Sequence, residues 1–180
     1  MIIKKTTQVG HPVIRAKAKT VQNIRSKETK RTAQNLVDSM RHHDLVGMAA
    51  PQIGIGTRIF VSEIRTTKFR KDLKKNADPL RVFINPRITK RSTKIAKDWE
   101  GCGSVVNGEL FGKVSRPYSV TVTAHNEQGE KFTLTATDLL ARIIQHEVDH
   151  LDGKLFVDTV DTKTYGVKDE LLKQKKRKKA

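Results

Sequence analysis

The sequence predicts an α+β fold, and two adjoining stretches carry that prediction. Val120, Val122 and Ala124 alternate with Thr121 and Thr123; after Asn126-Glu127-Gln128-Gly129, Phe132, Leu134 and Ala136 alternate again. A period of two on both sides of a glycine-containing turn predicts a β-hairpin. Residues 138–152 then switch to a helical period. Thr137 or Asp138 is placed to cap this helix, and Gly153 sits where a left-handed closing residue belongs.

The other elements follow in chain order. Residues 1–25 read as irregular, with a basic stretch and Pro12. Residues 27–43 read as a helix, because Ala33, Leu36, Val37 and Met40 recur at i, i+3, i+4 and i+7. Ser26 is its N-cap. Residues 45–56 are apolar but broken by Gly47, Pro51, Gly54 and Gly56, which predicts a loop or short strand open to close backbone approach. Residues 58–64 and 82–88 are short β-rich runs. The lysine- and arginine-dense stretch 66–79 reads as a surface insertion. Residues 167–173 read as a short helix and residues 173–180 as a fraying basic tail. No internal repeat is present. The organisation expected is one catalytic domain over 1–166, then the short helix and tail over 167–180.

Composition narrows the class. A chain of 180 residues is about one domain, able to bury about 70% of its unfolded surface. No apolar run reaches membrane-spanning length, so no membrane partner is expected. The start, MIIKKTTQVG, lacks the apolar core of a signal peptide, and one cysteine suits a reducing compartment. Lys+Arg number 36 against 19 Asp+Glu, a net charge of +17. That predicts attraction to polyanions and says nothing about fold. With 5% aromatic residues, and neither zinc-finger spacing nor an aromatic RNA-binding motif, no sequence-specific nucleic-acid binding is expected.

The helix at 138–152 holds a carboxylate in an unexpected place. At about 100° per residue, Leu139, Leu140, Ile143, Ile144, Val148 and Leu151 share one face, while Arg142, Gln145, Asp149 and Asp152 gather opposite. Glu147 falls in the middle of the apolar face, with His146 and His150 at its edge. A buried glutamate must be protonated, paired or near a cation. Two histidines four residues apart on one face suit a metal ion, and the glutamate beside them suits a base acting on water. His146-Glu147-Val148-Asp149-His150 is thus H-E-x-x-H on a helix. A catalytic metal usually takes three protein ligands. Asp158, Asp161 and Glu170 are downstream carboxylates that could be the third. Cys102 is the other option, set in Glu100-Gly101-Cys102-Gly103, where flanking glycines free the backbone for close approach.

Three ordered segments now carry a resemblance. They are Gly47-Met48-Ala49-Ala50-Pro51-Gln52, Glu100-Gly101-Cys102-Gly103-Ser104 and Gln145-His146-Glu147-Val148-Asp149-His150. With Arg116-Pro117 and Leu151-Asp152-Gly153-Lys154-Leu155-Phe156, the sequence resembles the peptide deformylases over most of residues 9–160. The resemblance implies antiparallel β-sheets packed around a central helix that carries H-E-x-x-H. It implies removal of the formyl group from N-formyl-methionyl nascent peptides, with release of formate. It implies one divalent metal on Cys102, His146 and His150, Fe²⁺ physiologically, with Zn²⁺, Ni²⁺ or Co²⁺ able to replace it. Glu147 is then the general base, and the Gln52 side chain and Gly103 N–H stabilise the oxyanion. Val46, Met48, Leu139 and Ile143 are expected around the methionine side chain, with substrate backbone along residues 45–47 including Gly47. Arg116 is expected either to grip a substrate carbonyl or to pair with Glu100. Gln145 and Asp149 are read as supporting or structural.

Two positions depart from the family motifs: Leu45 stands where glycine is common, and Gly103 where leucine is common. Altered substrate preference is therefore one alternative, and another small H-E-x-x-H metallopeptidase is a second. A bacterial cytoplasmic location and ribosome docking through the basic tail complete the expectations.

Overall fold

The computed structural model describes residues 2–67 and 77–177. A short helix α1 (Pro12–Arg15) precedes helix α2 (Lys27–His42). Ser26 Oγ accepts from Thr29 N–H and caps α2 as expected. The helix closes through Asp44, whose φ of 59° is left-handed. Asp44 N–H donates to Arg41 O at 3.2 Å, and Leu45 N–H to Met40 O at 2.9 Å. These are the two bonds of a Schellman closure, with an aspartate in the position usually held by glycine.

Strand β1 (Gly47–Ala49) and a 3-10 turn (Ala50–Ile53) occupy the glycine-broken stretch, so it is both strand and loop. Strands β2 (Ile59–Ile64) and β3 (Asp78–Arg91) follow, the second extending beyond the expected 82–88 at both ends. Most of the expected insertion at 66–79 lies outside the described residues. The hairpin forms as read, from β6 (Ser119–His125) and β7 (Lys131–Thr137), with Val122 opposite Leu134. These strands make an antiparallel five-stranded sheet in the order β1-β2-β3-β6-β7. The resemblance implies more than one sheet, but the strands of the second were not read from the residue pattern. Strands β4 (Ile95–Gly101), β5 (Leu110–Pro117) and β8 (Val160–Val167) pair antiparallel in the order β4-β5-β8.

Helix α3 (Asp138–Leu151) lies between the two sheets. Alternation along β2 and β3 divides the core. Phe60 and Phe83 stack with ring centroids 4.3 Å apart and face Ala141, Ile144, Val148 and Leu151 of α3. Their neighbours Ile59, Val61, Val82 and Ile84 face Ala33, Leu36, Val37 and Met40 of α2. Each fully buried side chain of this size contributes on the order of 1.5–3 kcal/mol. Under the second sheet, Val114, Leu155, Phe156 and Ile14 enclose Cys102.

Two local expectations are corrected and one is met. Thr137 occupies the N-cap of α3 but makes no side-chain capping bond, and the Asp138 N–H donates to Tyr118 O instead. Gly153 does take the left-handed conformation, with φ of 73°. The basic tail is helical as far as Arg177, because α4 (Lys168–Arg177) continues past residue 173. Arg142 and Gln145, on the polar side of the wheel, are buried, because the second sheet covers that side.

Candidate metal and peptide site

The two sheets leave a gap where their edge strands β1 and β4 face α3. It is a cavity of about 230 Å³. Of the sequence-predicted residues, Val46, Gly47, Gln52, Cys102, Gly103, Leu139, Ile143, His146 and Glu147 line it. His150 stands directly behind, its Nε2 3.1 Å from Cys102 Sγ. Two expected substrate contacts are elsewhere. Met48 is fully buried in the cluster shared with α2 and does not line the cavity. Arg116 is buried too, its guanidinium bonding Glu100 through Nε and Nη2 at 2.6 and 3.0 Å and Asp149 through Nη1 at 2.7 Å. Pairing with Glu100, the second expectation for Arg116, is the one realised.

Cys102, His146 and His150 bring one sulfur and two imidazole nitrogens within 4.8 Å of one another. The alternative third ligands are engaged elsewhere: Asp158 with Arg15, Asp161 with Lys97 and Glu170 with Lys173. His146 Nδ1 lies 3.0 Å from Glu100 Oε2. A carboxylate accepting there fixes the tautomer and leaves Nε2 with its lone pair for an ion. Inside the site, Glu147 Oε2 is buried with no hydrogen-bond partner among the described residues. A buried carboxylate oxygen left unpaired costs free energy unless something outside the chain meets it. A compact, buried S-N-N donor set beside such an atom fits a divalent transition ion.

The electrostatics differ sharply between two carboxyls. Burial disfavours the Glu100 carboxylate, but hydrogen bonds from His146 and Arg116 outweigh burial and hold its pKa well below the ordinary range. Arg142 adds a second guanidinium at 2.6 Å. Glu147 is pushed up to about 7, chiefly by burial, with Cys102 and Glu100 adding to the rise. Burial also opposes the Cys102 thiolate, yet the attraction of His150 and bonds from His146 and His150 hold the thiol well below its usual value.

Local sequence explains the tight approach. A Cβ on Gly47 would meet Glu147 Oε1 at 2.5 Å and Ile143 Cγ2 at 2.9 Å. Only glycine lets β1 press this closely on α3. Gln52 is oriented by its own turn: Ala49 N–H donates to its Oε1 at 2.7 Å, which turns Nε2 toward Cys102 Sγ at 3.7 Å.

The N-terminal segment, read as irregular, ties this machinery together. Thr7 N–H donates to Gln52 O and Val9 N–H to Ser104 O, both at 2.8 Å. Gln8 Nε2 donates to Gly103 O at 2.8 Å, and its Oε1 accepts from Asn107 N–H at 2.9 Å. No periodic signal marks these residues, because their partners are distant backbone groups.

An antiparallel α+β frame around an H-E-x-x-H helix, with a thiolate completing the donor set, defines a metallohydrolase. The family model described as polypeptide deformylase matches residues 3–165. A peptide deformylase of Natranaerobius thermophilus is 40% identical over 161 residues, covering 89% of this chain and 94% of the relative. Two solved structures agree in fold. The Met-Ala-Ser-bound class I type b peptide deformylase of Acinetobacter baumannii gives a TM-score of 0.81 at 29% identity, covering 88% of this chain and 99% of that one. The peptide deformylase of Thermotoga maritima gives 0.77 at 31% identity, covering 89% and 99%. The chain belongs to the peptide deformylase family.

Proposed function

We propose that this chain hydrolyses the formamide of N-formyl-methionyl nascent peptides, releasing formate and a free amino terminus. The observation that carries the reading is the Cys102–His146–His150 cluster with Glu147 buried and unpaired beside it. Those three residues would hold one divalent ion, with Fe²⁺ the physiological choice and Zn²⁺, Ni²⁺ or Co²⁺ workable substitutes. When bound, the ion supplies Lewis acidity that acidifies a water and polarises the formyl oxygen.

The chain's own residues do the rest. Glu147 takes the proton of the attacking water and returns it to the leaving amine as the C–N bond breaks. Burial raises its pKa in the metal-free chain, which favours proton uptake. Gln52 Nε2 and the Gly103 N–H donate to the developing oxyanion. Glu100, held by Arg116 and Arg142, keeps His146 in its ligating tautomer. Val46, Leu139 and Ile143 enclose the methionine side chain. Among the described residues, β1 is an edge strand paired with β2 alone, so substrate backbone can add along its other side. The Acinetobacter relative holds Met-Ala-Ser, the peptide that deformylation of formyl-Met-Ala-Ser would leave.

The test is formate release from formyl-Met-Ala-Ser by protein purified anaerobically with Fe²⁺ or Ni²⁺. The expected result is release by the native chain and none by Glu147→Ala. Cleavage of internal peptide bonds without formate would instead assign a general metallopeptidase. The setting we infer is the bacterial cytoplasm; among the described residues, no helix is long and apolar enough to cross a membrane. We further infer that α4 and the basic residues after it dock on the ribosome, since Lys and Arg dominate there and the net charge is +17. Deleting residues 173–180 is expected to weaken ribosome co-sedimentation and leave free-peptide kinetics unchanged; undiminished co-sedimentation would refute the docking.

A further inference from the structure

The two positions that depart from the family motifs meet in space. A Cβ built on Gly103 would lie 3.3 Å from Leu45 Cδ1 and 3.3 Å from Thr6 Cγ2. Gly103 is not among the residues with positive φ, so its backbone does not require glycine. A side chain there would press on Leu45 and Thr6, which would have to give by a few tenths of an ångström. The Leu45 backbone is held in place. Its N–H is committed to the Schellman bond with Met40, and its carbonyl accepts from Arg65 Nη2 at 3.1 Å. It also packs against the cluster that contains Met40. Both residues line the cavity.

We propose that Leu45 and Gly103 are a matched pair that shapes the peptide cleft beside the metal-ligating cysteine. Leu45, from the helix side, supplies the apolar wall that contacts the residue following formyl-methionine. Gly103 leaves the room that wall needs while keeping its N–H for the oxyanion. This specificity role rests on the deformylase reading above; the steric pairing does not.

The test is a double-mutant cycle with Leu45→Gly, Gly103→Leu and both together. Two readouts are used: thermal midpoint, and kcat/KM on formyl-Met-Ala-Ser and formyl-Met-Phe-Ser. Gly103→Leu alone is expected to lower the midpoint and cut kcat/KM about tenfold or more, because the new side chain collides with Leu45. The double variant is expected to recover both to within about threefold of native kcat/KM, a coupling of the size contacting residues show. Leu45→Gly alone is expected to change the ratio between the two peptides mainly through KM. Single effects that simply multiply in the double variant, on either readout, would overturn the pairing. An unchanged peptide ratio in Leu45→Gly would overturn the specificity role. A native chain that releases no formate would defeat the deformylase reading, while the thermal cycle would still decide the pairing.

Discussion

Glu100 and Glu147 are both buried carboxyls within reach of the same histidines, yet their surroundings are opposite. Glu100 receives Arg116, Arg142 and His146, so every strong direction around it is filled. Glu147 has an oxygen that no described group meets. The first is pinned in its charged form and the second is poised near neutrality. Environments that push two similar groups apart assign their roles: a saturated carboxylate positions, and an unsatisfied one reacts.

The largest test of that contrast is Glu147→Gln. Removing a general base is expected to lower kcat/KM by about 10²–10⁴-fold, with thermal stability of the metal-free protein equal to native or higher. A loss of stability would make Glu147 structural and erase the contrast. Glu100→Gln should behave inversely. It leaves two buried arginines short of their counter-charge, a change that costs about 3–5 kcal/mol in comparable buried pairs. Chemical denaturation would read that loss directly, and a stability change under 1 kcal/mol would show that Glu100 does not anchor the charged side of α3.

The smallest effect is in pH dependence, and its sign separates the two groups. Glu100 has a depressed pKa, so its contribution is full above about pH 4.5 and drains as pH falls below that value. Glu147 has a raised pKa, so its contribution is full below about 4.5 and is lost as pH rises through about 7. In metal-free protein, Glu100→Gln is expected to flatten the acid limb of the stability profile, and Glu147→Gln the limb through neutrality. Identical profiles for both variants would sink the distinction.

What the sequence revealed follows the same division. The hairpin and α3 were legible because each keeps one period without interruption. The H-E-x-x-H motif was legible because Glu147 breaks an otherwise apolar face. The strands of the second sheet were not legible from pattern, since Ile95-Ala96-Lys97-Asp98-Trp99-Glu100-Gly101 and Val160-Asp161-Thr162-Lys163-Thr164-Tyr165-Gly166-Val167 show no clean alternation, and only the family resemblance implied more than one sheet. With those strands unplaced, the wheel showed Arg142, Gln145 and Asp149 only as the side opposite the apolar face. They are instead the contact between α3 and β4–β5: Arg142 reaches Glu100, Val114 O and Ala96 O, and Gln145 reaches Pro117 O. Met48 was misassigned to the pocket for a related reason. Motif position gives proximity to a site, but the direction of a side chain along a short strand depends on what packs behind it.

The N-terminal segment over Gln52 and Gly103 carries a consequence for the order of assembly. Gln8 and Gly103 are 95 residues apart in the chain. Closing a loop of that length is entropically costly and is compensated only when both ends already have structure to meet. On loop-closure entropy, the segment around Gln8 is expected to dock only once the Cys102 loop has structure to receive it. Gln52 and Gly103, the proposed donors to the oxyanion, are then expected to gain their final geometry late in folding.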